Sequence, residues 1–320
     1  MCKLQKSIQS DNCNKVNIMQ NIISIGLLVL LAGVFNVNAQ SQLNCQFFDD
    51  GAYGYTCLVN RQNVTSFTNV TITGNHTNNR NNSQVMFLEI ATSSIALIVN
   101  QLFQTFPNAL VMYVLNSGLS VIQLDAFMGA GSLRVLEIEG NDLRALNSNS
   151  FNHLERLEIL TLRNNKIMDL NGNVFQGLGQ LNFLSLNNNT LRSLQDDIFS
   201  PLTSLEYLFA DTIEVDRIGG RLFENNRSLR VLDLPNNNIT AIESNFIDNL
   251  RNLTILNLIG NHCTDSFYSI TNSSILDQIR SDLSQCFTNF APRLNVTRLI
   301  LEVEGHLTLF NENGTVIVRV

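Results

Sequence analysis

Past residue 39 the sequence contains a single lysine, Lys166, and acidic side chains outnumber basic ones. Residues 1–39 carry three of the 20 basic residues and one of the 27 acidic ones, so without them the net charge falls from −7 to −9, with 17 basic and 26 acidic residues. Such a chain lacks the general positive field that attracts nucleic acid or anionic lipid. We therefore expect no nucleic acid and no lipid surface as a partner.

Motifs of catalysis and metal binding are also missing. The histidines lie far apart in the sequence, and none has a serine, cysteine or carboxylate at a motif spacing; they are His76, His153, His262 and His306. The sequence has no glycine-rich phosphate loop, no C-x-x-C pair and no cluster of metal-ligating residues. We therefore expect no enzymatic activity, no cofactor and no metal site.

Only one long apolar run occurs, IISIGLLVLLAGVF at residues 22–35. It is too short to span a membrane but has the length of the apolar core of a signal peptide. Lysines precede it, and small residues that suit signal peptidase follow it up to Ala39. We expect residues 1–39 to be a cleaved signal peptide, and the remainder to be secreted and extracellular with no membrane span. The alternatives are an uncleaved signal anchor and a translation start at Met19.

Four cysteines would remain after cleavage: Cys45, Cys57, Cys263 and Cys286. An even number of cysteines in an oxidising compartment indicates two disulfides. Of the three possible pairings, proximity in the sequence favours Cys45–Cys57 and Cys263–Cys286. The alternative use of these residues is zinc binding.

A 24-residue repeat occupies the middle of the chain. Counting the first residue as position 0, eight repeats begin at Val85, Ala109, Leu133, Leu157, Leu181, Leu205, Leu229 and Leu253. Positions 3 and 5 are apolar in every repeat, as in a short strand with one buried face, and position 18 is phenylalanine in the first six. One repeat cannot bury its own apolar side chains, so the pattern predicts stacked coils of a solenoid with a continuous core. The phenylalanines should stack as a second seam.

Position 8 is asparagine in five repeats: Asn141, Asn165, Asn189, Asn237 and Asn261. An inward amide both donates and accepts hydrogen bonds, so it can satisfy the buried backbone at a sharp turn and link adjacent coils. Ser93 and Ser117 can do so only in part, and Ile213 cannot. We expect a local irregularity at Ile213; the alternative is that its side chain simply packs.

The pattern L-x-x-L-x-L-x-x-N-x-L, with this spacing and a trailing phenylalanine, resembles the typical extracellular leucine-rich repeat family over residues 85–263. The resemblance implies an α/β solenoid, a leucine-rich-repeat horseshoe with a parallel β-sheet on its concave face and disulfide-closed end caps. The N-terminal cap is similar to those of insect secreted leucine-rich repeat proteins, mosquito immune proteins among them, although the long C-terminal coiled coil of those proteins is missing. The family includes receptors, adhesion proteins, inhibitors and immune recognition proteins, so it specifies fold more than function.

Different structures are expected at the two ends. Residues 40–84 are predicted to form an N-terminal cap with one disulfide, and residues 264–286 a helical C-terminal cap. The apolar face of that helix would contain Ile275, Leu276, Ile279 and Leu283. Residues 287–320 are predicted to be a β-rich extension. It would cover the end of the solenoid or pair two copies of the chain through an open edge.

Positions 4 and 6 should face outward from the sheet, on the surface that repeat solenoids use for binding. The outward apolar residues Tyr113, Leu115, Phe209 and Ile259 are candidate anchors, unless neighbouring columns partly bury them. Acidic residues on the same face favour a basic protein partner. The candidate partner-binding residues are Glu89, Tyr113, Leu115, Glu137, Glu139, Arg163, Phe209, Asp211 and Asp233.

Eleven N-x-S/T sequons are candidate glycosylation sites. They begin at Asn63, Asn69, Asn75, Asn81, Asn188, Asn226, Asn238, Asn252, Asn272, Asn295 and Asn313. The first four are six residues apart, so an extended chain would place them on one side. A glycan on Asn188 would obstruct the middle of the concave face.

These features favour a secreted, glycosylated recognition protein that binds another protein through the solenoid surface, in innate immunity or extracellular signalling. One alternative is a structural or adhesion protein of the extracellular matrix or cell surface. Another is a proteinaceous enzyme inhibitor.

Overall fold

The computed structural model describes residues 42–52, 54–64, 70–272, 274–294, 299–301, 307–310 and 316–319. The signal peptide expected at residues 1–39 lies outside these ranges, as do the sequons at Asn69, Asn295 and Asn313.

Short strands make up most of the regular structure. The N-terminal cap contains β1 Gln42–Asn44, β2 Gln46–Asp50, β3 Gly54–Asn60, β4 Asn63–Val64 and β5 Thr71–Thr73, followed by a 3-10 turn at Asn82–Gln84. The repeats contain β6 Phe87–Ala91, β7 Ser94–Ile95, helix α1 Gln101–Thr105, β8 Val111–Leu115, β9 Val135–Glu139, β10 Ala145–Leu146, β11 Ile159–Thr161, β12 Asp169–Leu170, β13 Phe183–Ser185, β14 Tyr207–Phe209, β15 Arg217–Ile218, β16 Val231–Asp233, β17 Ala241–Ile242 and β18 Ile255–Asn257. The C-terminal part contains β19 Phe267–Ser269, α2 Ser274–Asp282, α3 Ser284–Leu294, β20 Leu299–Leu301, β21 Leu307–Phe310 and β22 Val316–Arg319.

One sheet runs through all the repeats and into both caps. Its strand order is β2-β3-β6-β8-β9-β11-β13-β14-β16-β18-β19. The repeat strands pair in parallel with each residue opposite the one 24 positions later, as Leu136 pairs with Leu160 and Leu160 with Leu184. Only β2 and β19, at the two edges, run antiparallel. The prediction of a solenoid with stacked, in-register coils is confirmed.

Phenylalanine rings form the second seam of the core. Successive rings from Phe103 to Phe223 lie 5.7 to 6.4 Å apart between centroids, and each side chain is almost fully buried. Burial of one such ring stabilises the fold by about 2 kcal/mol before packing is considered. The sheet leucines and this ring column together enclose one continuous core.

The position-8 asparagines link neighbouring repeats as expected. The Nδ2 atom of Asn141 donates to the carbonyl oxygens of Val114, at 2.7 Å, and Glu139, at 2.9 Å. Its Oδ1 atom accepts the backbone N–H groups of Ser117 and Leu119 at 3.0 and 3.1 Å. The same kind of network recurs at Asn165, Asn189, Asn237 and Asn261.

The turn after each strand requires one left-handed residue at position 7. Its φ lies between 46° and 71° in every repeat, at Thr92, Asn116, Gly140, Asn164, Asn188, Thr212, Asn236 and Gly260. Asparagine and glycine adopt this conformation at low cost, which explains their prevalence there. The side chain of Ile213 is fully buried, and its repeat contains a second left-handed residue, Glu214, at φ 66°. Gly118 of the second repeat is left-handed at the same position, with φ 68°, and β14 pairs in register with both neighbouring strands. The side chain of Ile213 therefore packs in the core, and the irregularity expected there does not interrupt the stack.

Disulfides close both ends of the solenoid. Cys45 bonds to Cys57, and Cys263 bonds to Cys286, so the pairing favoured by sequence proximity is confirmed. The first bond lies within the N-terminal cap and the second joins the last repeat to the C-terminal cap, and each restricts the unfolded chain.

The C-terminal cap differs from a simple helix. Strand β19 adds to the sheet before α2 begins, because the turn after Gly260 reverses the chain onto β18. Helix α3 ends at Leu294, so residues 287–294, expected to be β-rich, are helical. The strands β20, β21 and β22 beyond it form a separate antiparallel sheet. Within the described ranges no helix has the length and hydropathy of a membrane span.

Candidate binding face

The candidate partner-binding residues lie on the outer face of the main sheet. Strand pairing places Glu89, Tyr113 and Glu137 side by side, and Leu115 beside Glu139. Three strands beyond β9, Phe209 on β14 pairs with Asp233 on the adjacent strand β16, and Asp211 follows Phe209 by two residues. The face thus contains an N-terminal group and a C-terminal group, separated by Thr161 and Ser185, which are both buried.

The apolar candidates are partly exposed. Tyr113 packs edge-on against the buried ring of Phe87, with centroids 4.8 Å apart and planes at 79°. Phe209 lies against Phe183 at 5.2 Å, and Phe183 lies 6.4 Å from Tyr207. Packing between columns therefore fixes these rings while part of each side chain stays on the surface, as binding anchors require.

Arg163 interacts with two carboxylates of the N-terminal group. Its Nη2 atom lies 2.6 Å from Glu139 Oε2 and 3.7 Å from Glu137 Oε1, and Asn164 Nδ2 donates to Glu139 Oε1 at 2.9 Å. Burial raises the pKa of Glu137, its hydrogen bond with Glu139 adds to this, and the charge of Arg163 only partly offsets both. Burial also acts on Glu139, but the hydrogen bond and charge of Arg163 outweigh it and lower the pKa of that carboxyl.

Glu89 lies near the N-terminal edge of the same face. Burial raises the pKa of its carboxyl, and the nearby charge of Asp50 raises it further. A cationic partner group at this edge would relieve both effects.

Asp211 and Asp233 form the charged part of the C-terminal group. Asn257 donates to Asp233 Oδ1 at 2.7 Å, while Asn236 and Thr212 donate to Asp211 Oδ1 at 3.1 and 2.7 Å. Burial raises the pKa of Asp233, the hydrogen bond from Asn257 opposes this, and the charge of Asp211 raises it again. The site at this end therefore carries two carboxylates that repel each other.

One surface residue of this face escaped the sequence analysis. Phe267 on β19 lies in register with Asn257 of the last repeat, and its side chain is 52% exposed. The neighbouring Ile259, already expected to face outward, is 44% exposed. The signal for Phe267 was the alternating Phe-Tyr-Ser strand, which lies beyond the repeat pattern.

The sequons differ in the accessibility of the acceptor nitrogen. The side chains of Asn63, Asn75, Asn81, Asn188, Asn238, Asn252 and Asn272 are exposed. Asn226 is fully buried, and its Nδ2 atom donates to the carbonyl oxygens of Phe199 and Leu202 at 2.9 and 2.8 Å. This burial argues against a glycan at Asn226 on the folded chain, unlike the other candidate sites in the described ranges.

In the described ranges, no group of three or more His, Cys, Asp or Glu side chains is placed to hold a metal ion.

Comparisons with known proteins agree with this geometry. The family model described as leucine rich repeat matches residues 107–167, 155–212 and 214–262. The chain belongs to the leucine-rich repeat family. A search of curated proteins found no match.

Solved structures with a similar fold include the TLR13–ssRNA13 complex, at 27% identity and a TM-score of 0.52 over 56% of this chain and 25% of that one. The APL1 leucine-rich repeat domain is 20% identical, with a TM-score of 0.53 over 71% of this chain and 60% of the other. The Toll–Spatzle complex of Drosophila matches at 20% identity and a TM-score of 0.49 over 60% of this chain and 30% of that one. The match spans less than two thirds of the length of each of these chains.

Proposed function

We propose that this chain is a secreted, glycosylated recognition protein that binds another protein through the concave face of its solenoid. The observation that carries this proposal is the face itself: eleven in-register strands that hold partly exposed aromatic rings beside carboxylates. A rigid face with fixed aromatic anchors loses little conformational entropy on binding, which favours affinity for a macromolecule. We propose neither an enzymatic activity nor a cofactor.

Charge favours a basic protein over a nucleic acid. TLR13 was solved with RNA, but the candidate residues of the present face include five carboxylates and one arginine. Phosphate groups would be repelled by this surface, whereas lysine or arginine side chains of a protein would be attracted.

An extracellular setting is supported by the two disulfides and the exposed sequons. We propose innate immunity or extracellular signalling as the process, on the strength of the resemblance to secreted insect leucine-rich repeat proteins.

The experiment begins with the native protein from extracellular fluid, cross-linked and analysed by mass spectrometry to identify what it binds. Binding of that partner is then measured for Tyr113→Ala and Phe209→Ala. We expect each substitution to weaken binding about tenfold. Leu124→Ala is the control, because Leu124 is 62% exposed and lies outside the sheet strands.

Unchanged affinity in both face variants would overturn the assignment of the concave face. Recovery of the protein only by extraction from matrix would favour a structural role instead.

A further inference from the structure

The two acidic groups of the concave face differ in how their charge is balanced. Glu137 and Glu139 share Arg163. Among the described residues no lysine, arginine or histidine forms an ion pair with Asp211 or Asp233. A half-buried carboxylate without a counter-charge costs free energy, so this pair is a place where a cation would bind favourably.

Strand geometry holds the two carboxylates close together. Phe209 and Asp233 are direct partners on adjacent parallel strands, and Asp211 lies two residues beyond Phe209 on the same face. The backbone N–H of Ala210, the residue before Asp211, donates to the carbonyl oxygen of Asp233 at 2.8 Å. This contact brings the two carboxyl groups close enough for one guanidinium group to interact with both. The hydrogen bonds described above use only the Oδ1 atom of each, and the Oδ2 atoms have no partner among the described residues.

Exposed apolar side chains lie just past the end of β18 and on β19. Ile259 and Phe267 are 44% and 52% exposed and follow the carboxylates toward the C-terminal edge of the sheet. An aromatic ring exposed to this extent on a strand face is a typical anchor for a partner side chain.

The hairpin formed by β18 and β19, which carries Ile259 and Phe267, is held in place by hydrogen bonds and a disulfide. The backbone N–H of Gly260 donates to Asp265 Oδ1 at 2.7 Å, and that of Leu258 donates to the carbonyl oxygen of Ser266 at 2.8 Å. Between these contacts, Cys263 is bonded to Cys286 of helix α3. The surface is therefore organised before a partner arrives, which lowers the entropy lost on binding.

We propose that Asp211, Asp233, Ile259 and Phe267 form a docking surface for a protein segment that carries an arginine or lysine beside an apolar side chain. The cation binds between the two carboxylates, and the apolar group packs on Ile259 and Phe267. This surface, called the acidic-apolar surface below, rests on the proposed function and narrows it to one end of the concave face.

The test uses a displayed library of random linear peptides selected against the full secreted chain. We expect the selected peptides to be enriched in arginine or lysine next to a large apolar residue. Their affinity should fall about tenfold or more for Asp211→Asn/Asp233→Asn and, separately, for Ile259→Ser/Phe267→Ser. Asp142→Asn is the control, because Asp142 lies outside the candidate binding residues and Lys166 balances its charge.

Added salt provides a second measurement. It should weaken binding to the wild-type chain more than binding to Asp211→Asn/Asp233→Asn, because only the wild type retains the charge attraction.

The outcomes separate the two proposals. Selected peptides that lack basic residues, or that bind equally well to both double variants, would overturn the acidic-apolar surface. If such peptides instead lose affinity with Tyr113→Ala, the concave face still binds protein and only this inference fails. If they lose affinity with none of these variants, both proposals fail.

Discussion

Asn165 Nδ2 donates a hydrogen bond of 2.8 Å to the carbonyl oxygen of Ile138, which lies 27 residues earlier in the preceding repeat. The same nitrogen donates to the carbonyl oxygen of Leu162 at 3.0 Å, and Asn165 Oδ1 accepts the backbone N–H of Leu143 at 3.3 Å. One buried amide thereby satisfies backbone groups of two repeats. The asparagine column is thus a source of cohesion between coils as well as of turn geometry.

Replacement of Asn165 by alanine should therefore be costly. The substitution removes the hydrogen bonds that Asn165 makes to the buried carbonyl oxygen of Ile138 and to the N–H of Leu143, whereas the carbonyl oxygen of Leu162 keeps a bond from Asn189 at 3.0 Å. We expect the free energy of unfolding to fall by about 3 kcal/mol. Urea denaturation followed by circular dichroism measures this loss. Asn225→Ala is the control: Asn225 is exposed, and its substitution should change stability by less than about 0.5 kcal/mol. Equal effects of the two substitutions would refute the role of the column.

Thr212 occupies the left-handed position that asparagine or glycine holds in most repeats. Its φ is 54°, a conformation that is strained for a β-branched residue. Asn236 adopts φ 52° at the same position of the next repeat. We expect Thr212→Asn to raise the free energy of unfolding by about 1 kcal/mol, measured by thermal and urea denaturation. Thr203→Asn, at an exposed site without a positive φ, should have no such effect; a gain of equal size there would remove the strain argument.

Periodicity predicted most of the fold because its signal repeats. A single leucine column is ambiguous, but eight copies of the same spacing fix strand register, core and phenylalanine seam together. The cysteine pairing followed from proximity in the sequence. The asparagine column followed from the chemistry of the amide, which can both donate and accept.

Features that occur once could not be predicted in the same way. Strand β19 and the end of helix α3 depend on how the last coil is closed, and no repeat specifies that closure. The burial of Asn226 depends on the carbonyls that surround it, which its sequon does not reveal. The ion pair between Arg163 and Glu139, which leaves Arg163 less available to a binding partner, likewise depends on the distance between adjacent coils. The candidate face was therefore located from the sequence, but its charge balance was not.

Sequon occupancy should follow the accessibility of the acceptor nitrogen. We expect glycans on the secreted protein at exposed sites such as Asn188 and Asn238, and none at Asn226. Enzymatic removal of glycans in heavy-oxygen water, followed by peptide mass spectrometry, labels each occupied site. Thr190→Ala should abolish the label at Asn188, whereas Thr190→Ser, which keeps the sequon, should retain it. A label at Asn226 would contradict the packing described for Phe199 and Leu202.

Two carboxyls of the concave face should respond to pH with opposite signs. The pKa of Asp233 is raised in the folded chain, mainly by burial. Its contribution to stability is fully present below the unfolded pKa and is lost as the pH rises through the raised, folded value. Asp233→Asn keeps an acceptor for Asn257 and never ionises, so the variant should be more stable than the wild type at pH 7. That advantage should shrink as the pH falls through the raised pKa.

Glu139 is the matched control because Arg163 lowers the pKa of its carboxyl in the folded chain despite partial burial. Its contribution is present above the unfolded pKa and is lost as the pH falls through the lowered value. Glu139→Gln should therefore be less stable than the wild type at pH 7, with the difference disappearing in acid. Urea midpoints of both variants and the wild type from pH 7 down to about pH 3 test this, since that range covers the ordinary carboxyl values. If both variants were more stable than the wild type at pH 7, or both less stable, the carboxylate paired with Arg163 and the one without an ion pair would not differ in energy. The acidic-apolar surface would then lose its electrostatic basis.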